Sequence, residues 1–110
     1  MGAKEYLQQI KKIDTLIRNK SIEVKQAKEV GVDYTYITNG IKQLQKEKAE
    51  IIDVIQRLNE AEYDVLHRVY VQGQTLQEVA SERGHISYSQ AATLHGKALK
   101  KVADMINKEI

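Results

Sequence analysis

Apolar positions in the first 58 residues recur at alternating steps of four and three. Tyr6, Ile10, Ile13, Ile17, Lys20, Val24 and Ala27 form one stripe, and Ile37, Ile41, Leu44, Lys48, Ile51, Ile55 and Leu58 form a second. A repeat of this kind keeps a narrow apolar seam on one side of a helix, as in coiled-coil packing. Gly31 to Thr35 separates the stripes, so the spacing predicts an antiparallel helical hairpin. With the turn centred near Asp33, facing residue numbers sum to about 65 on the helix pairing geometry, which sets Lys48 beside Ile17 and Lys20 near Leu44. Lysine stems at these points can cover the seam while the ammonium groups reach water. Asn39-Gly40 is a common turn pair, so the second helix is expected to start after Asn39, with Ile37 in an ordered loop. Tyr34 and Tyr36 read as local packing residues.

From Leu58 onward the pattern changes to short capped helices. Asn59 followed by Glu62 starts one, with Leu66, Val69 and Tyr70 facing inward and Gly73 at its end. Thr75 followed by Glu78 starts a second, whose apolar face is Leu76, Val79 and Ala80 and whose stop is Gly84. Ser87 followed by Gln90 repeats the device for a third. There Ala91, Leu94, Ala98, Val102 and Met105 or Ile106 recur at helical spacing and pack inward. The chain therefore reads as all-α, with a hairpin over residues 1–58 and a three-helix unit over residues 59–110. No flexible linker separates them. Ala80 is small enough to allow a close helix crossing.

Two short helices joined by a tight turn, the second running on with basic residues, have the sequence shape of a helix-turn-helix DNA reader. The inward face of the last helix turns Tyr88, Ser89, Gln90, Ala92 and Thr93 outward, and these are the candidate base contacts. Glutamine pairs with an adenine edge, serine and threonine donate or accept, and the methyls of Ala92 and Thr93 suit a thymine methyl. Arg83, His85, Lys97, Lys100 and Lys101 are the candidate phosphate contacts, which position a protein without reading sequence.

The segment LNEAEYDVLHRVYVQGQTLQEVA followed by SYSQAATLHGKALKKV, from Leu58 to Val102, resembles the fourth region of bacterial sigma factors. It is similar in particular to small phage activators of late transcription of the ArpU/RinA type. The matching pieces are a support helix, a TLxEIA-like first helix and a recognition helix ending in Ala98-Leu99-Lys100-Lys101-Val102. His85 stands as an extra residue before Ile86, and Ala92 occupies a position where such readers carry a longer polar or basic side chain. The resemblance implies a sigma-like helix-turn-helix unit, double-stranded DNA as partner, and activation of phage late genes.

Charge qualifies this picture. The chain has 17 basic and 15 acidic residues, and from Ala61 to the end there are six of each. A neutral reader has little long-range attraction for a polyanion, so occupancy of a site calls for a second copy or a second protein. The stripes supply a homo-oligomer contact, assigned to Tyr6, Ile10, Ile13, Ile17, Ile41, Leu44, Ile51 and Ile55. The same neutrality keeps open an adaptor or structural role, in which the sigma-like unit docks on RNA polymerase or another protein.

Other classes find little support. The chain has no cysteine, which removes thiolate and disulfide chemistry. His67, His85 and His95 fall on different elements without clustered carboxylates, so they read as surface or packing residues rather than metal ligands. No glycine-rich phosphate loop occurs. The absence of a long apolar run or signal segment predicts a cytoplasmic protein without membrane contact. Neither enzymatic activity nor a cofactor is expected.

Overall fold

The computed structural model describes residues 2–84 and 86–108. It is all-α, with five helices and no strand among the described residues. Helix α1 spans Ala3–Val30, α2 Thr35–Gln56, α3 Glu60–Leu66, α4 Leu76–Arg83 and α5 Tyr88–Lys108. A π-helical turn over His67–Val71 prolongs α3.

Helix α1 ends at Gly31, which takes the left-handed conformation at φ 73°, a region glycine enters without a Cβ penalty. The chain then turns through Asp33, whose carboxylate accepts hydrogen bonds from the Thr35 amide at 3.0 Å and its hydroxyl at 2.8 Å. That local turn starts α2 at Thr35, so Ile37 and the Asn39-Gly40 pair are helical rather than part of a loop. The end of the Lys20 side chain lies 3.7 Å from where a Gly40 Cβ would stand, an ordinary contact distance, so the lysine of the opposite stripe rests against α2 at this point.

Helices α1 and α2 pack along each other in opposite directions, as the Lys20–Gly40 approach and the Lys48–Asp14 ion pair at 2.7 Å require. Both seam lysines are partly covered. The Lys48 ammonium pairs with the Asp14 carboxylate, which precedes Ile17 by about one turn. The stem covers the seam while the charge stays at the edge.

The main core lies at the base of this pair. Leu7, Ile10 and Ile13 of α1 meet Ile51, Val54 and Ile55 of α2, and the cluster continues into Leu66 of α3 and Ala98 and Val102 of α5. Beyond Ile13 in α1 and before Ile51 in α2 no residue is fully buried, so the far halves form a two-helix arm. The molecule measures 53 × 35 × 20 Å. A 28-residue helix is about 42 Å long at 1.5 Å per residue, which accounts for the long dimension.

Val65, Val79, Ala80 and Ala91 are buried outside that cluster, and α5 packs against both α3 and α4. Ala80 is 8% exposed and Val79 fully enclosed. The residues assigned to an oligomer seam divide here. Ile10, Ile13, Ile51 and Ile55 are buried within this chain's own core, so a second copy cannot reach them without opening it. Tyr6, Ile17, Ile41 and Leu44 keep partial exposure.

Candidate nucleic-acid interface

Three side-chain caps fix how α3, α4 and α5 begin. Asn59 accepts from the Glu62 amide at 2.9 Å. Thr75 and Glu78 form a full reciprocal box, at 3.2 Å and 3.1 Å. Ser87 Oγ accepts from the Gln90 amide at 3.1 Å while Gln90 Oε1 accepts from the Ser87 amide at 2.7 Å. Each satisfies backbone donors that the first helical turn leaves unpaired. Glu62 departs from the box pattern, because its carboxylate turns to Lys101 of α5 rather than to its own helix start.

The turn between α4 and α5 passes through Gly84 at φ 62°, ψ 157°, a backbone conformation that disfavours a side chain. From there the outward face of α5 carries Tyr88, Ser89, Gln90 and Thr93, all exposed. Ala92 is only half-exposed. Ser89, Gln90, Thr93, Leu94 and Lys97 line one shallow groove with Arg83 and Ile86, so five of the ten proposed base and backbone contacts share one side of the molecule.

Gln90 has less freedom than its exposure suggests. Bidentate pairing with adenine uses the amide oxygen and nitrogen together. One lone pair of the oxygen is held by the Ser87 amide, which restricts the side chain and leaves Nε2 as its uncommitted donor.

The five candidate phosphate contacts separate in the same way. Lys97 and Lys100 are exposed and have no ion-pair partner among the described residues. Arg83 is bound to Asp64, which also receives Arg68 Nε at 3.0 Å. Arg68 reaches on to Glu82 at 2.7 Å, and Gln74 donates to the same carboxylate at 2.9 Å. This network ties α3 to α4, so Arg83 is a bracing residue with its charge neutralised. Lys101 is paired at 2.8 Å with Glu62, whose side chain is only 4% exposed, and Lys101 too acts between helices. His85 lies outside the described residues.

Tyr70 and His95 make a contact that no local pattern announces. Tyr70 Oη stands 2.9 Å from His95 Nε2, and the rings stack with centroids 5.7 Å apart. Burial raises the tyrosine pKa and lowers that of the histidine, to which the Lys4 ammonium adds. Both rings stay neutral around neutral pH and join the π-helical turn to α5. His67 packs beside Tyr63, with ring centroids 5.4 Å apart. No group of three or more metal-ligating side chains occurs among the described residues, and no helix there is long and apolar enough to cross a membrane.

No protein-family description, curated protein or solved structure matches this chain.

Proposed function

We propose that the chain is a sequence-specific DNA-binding transcriptional regulator, with α4 and α5 as a sigma-like helix-turn-helix unit and α1 and α2 as a hairpin arm. The observation that carries this reading is the pair of boxed helices α4 and α5 across a glycine turn, with Ser89, Gln90, Thr93 and Lys97 on one open side. Two capped helices crossing over an alanine present the second to a groove, with first-turn residues at base edges and later lysines at phosphates. The resemblance to phage late-gene activators makes activation the proposed direction of regulation.

The regulator works as an oligomer. Two copies on adjacent half-sites multiply a weak single contact. The arm leaves Leu16, Ile22, Val30, Val32 and Tyr36 open, and these rather than the enclosed isoleucines are the apolar residues a second copy would cover.

A second reading draws on the engaged cations. With Arg83 and Lys101 held in ion pairs, the unit has few free charges for a polyanion, as an adaptor docking on RNA polymerase would. Selection from a random duplex pool, run beside capture of RNA polymerase, separates the two. Enrichment of a defined site supports the regulator; polymerase capture without enrichment supports the adaptor.

A further inference from the structure

The three-helix unit, residues 59–110, holds six basic and seven acidic side chains, yet the chain carries a formal charge of +2. The excess is on the first helix. Residues 1–30 hold seven basic and four acidic side chains, whereas residues 31–60 hold four and five. Three of the seven, Lys4, Lys11 and Lys12, gather at one place, on the wall of a cleft of about 650 Å³ between α1 and the Gln72–Leu76 segment that leads into α4.

These three lysines differ from Arg68, Arg83 and Lys101 of the three-helix unit, which are held in ion pairs. Lys4, Lys11 and Lys12 are all exposed, and none has an ion-pair partner among the described residues. The acidic residue on the same wall, Asp14, is already held by Lys48. Val69, Val71 and Leu76 supply apolar lining on which lysine stems can lie, with the ammonium groups projecting beyond. His95 of α5 lines the cleft as well. Lys4 and His95 thus line the same cleft, and the Lys4 charge helps to lower the imidazole pKa.

Helix α5 consequently has cations on two flanks. Lys97 borders the groove lined by Ser89, Gln90 and Thr93, and Lys4, Lys11 and Lys12 border the cleft on the side of His95. A helix in a major groove about 12 Å wide runs between two phosphate strands, so cations on both flanks suit it better than cations on one.

We infer that Lys4, Lys11 and Lys12 of α1 are phosphate-binding residues of the DNA interface, holding the strand opposite to the one met by Lys97 and Lys100. The inference rests on the reading of α5 as a groove reader. It also gives the hairpin a direct part in binding and supplies the charge that the three-helix unit lacks.

The test measures binding of the full chain to a random-sequence duplex across a salt series. Three proteins are compared: the unaltered chain, the triple variant K4A/K11A/K12A, and a control triple K25A/K42A/K46A, which removes equal charge from the arm. Thermal melting verifies that each is folded. Each phosphate contact contributes about 0.9 to the slope of log K against log salt, so K4A/K11A/K12A is expected to lower the slope by about two to three, while the control leaves it near the original. Equal slopes for all three proteins, with the unaltered chain binding well, would overturn the inference and leave the DNA reading intact. A chain that binds no duplex while K4A/K11A/K12A loses RNA polymerase would overturn both, making the cleft a dock for an acidic protein surface.

Discussion

Lys101 on α5 and Glu62 on α3 form an ion pair at 2.8 Å in which the carboxylate is almost wholly enclosed and the ammonium half open. The pair clamps the start of α3 to the last turns of α5, so a residue in the basic terminal run has a structural duty. Removing the lysine leaves a buried charge without its partner, which costs more than the intact pair contributes.

Lys101→Ala is therefore expected to destabilise the fold by about 1–3 kcal/mol, the penalty for orphaning a buried polar group, moderated by the solvent access of the lysine. Lys97→Ala removes an exposed charge and is expected to shift stability by no more than about 0.5 kcal/mol. Denaturant unfolding of both variants is the measurement. Equal small effects would show that Glu62 does not depend on Lys101.

Packing in the two cores can be probed from opposite directions. Leu66 is fully enclosed, and Leu66→Ala is expected to cost about 2–5 kcal/mol through lost burial and a residual cavity. Ala80→Leu inserts volume at a nearly closed site and is expected to cost about 1–3 kcal/mol by overpacking. An unchanged melting midpoint for Ala80→Leu would mean that α4 has room to move away.

The helices and their starts were legible in the residues because caps and apolar periods are local. Thr75/Glu78, Ser87/Gln90 and Asn59 act as their spacing predicts. The start of α2 was not, because the turn signal of Asn39-Gly40 competes with the local turn that Asp33 makes with Thr35. The Tyr70–His95 contact joins positions 25 apart and, like the π-helical turn over His67–Val71, leaves no periodic trace. Among the site residues, exposure of Ser89, Gln90 and Thr93 followed from the helical wheel. The engagement of Arg83 and Lys101 did not, since their carboxylate partners lie on other helices. Arg68 four residues after Asp64 was the visible hint of the first network.

The Tyr70–His95 contact makes a pH dependence. Burial, with Lys4 adding to it, holds His95 below its ordinary value of 6.5. The unfolded chain then takes up a proton as pH falls through that value while the native chain does not, so stability declines on acidification and levels off below the native pKa. His95→Gln is expected to flatten this part of the profile, as read by denaturation midpoints between neutral and mildly acidic pH. A profile unchanged by the substitution would assign the dependence to other groups.

Association through the arm is expected to appear as a concentration-dependent rise in sedimentation coefficient over about 1–100 μM, the range of weak to moderate affinities. Val30→Lys together with Tyr36→Lys places charge on two of the most exposed apolar residues, 73% and 88% open, and is expected to shift the transition to higher concentration without loss of helicity. A chain that stays monomeric throughout would remove the paired-half-site arrangement.

Gln90 separates capping from base reading. Its oxygen holds the Ser87 amide and its nitrogen remains free. Gln90→Glu keeps an acceptor for that amide and puts a negative charge near the start of a helix, which is favourable there, while removing the donor. Stability is expected to hold or to rise by a few tenths of a kcal/mol, as for a charge near a helix start. The added charge weakens cognate and random duplexes alike, so the informative quantity is their ratio. If Nε2 donates to a base, the ratio is expected to fall about 5- to 150-fold, the range for losing one good base contact of about 1–3 kcal/mol. Thr93→Ala, which leaves the cap untouched, is expected to lower the ratio with no effect on melting. A ratio that both variants leave unchanged would make this side of α5 a protein-docking face.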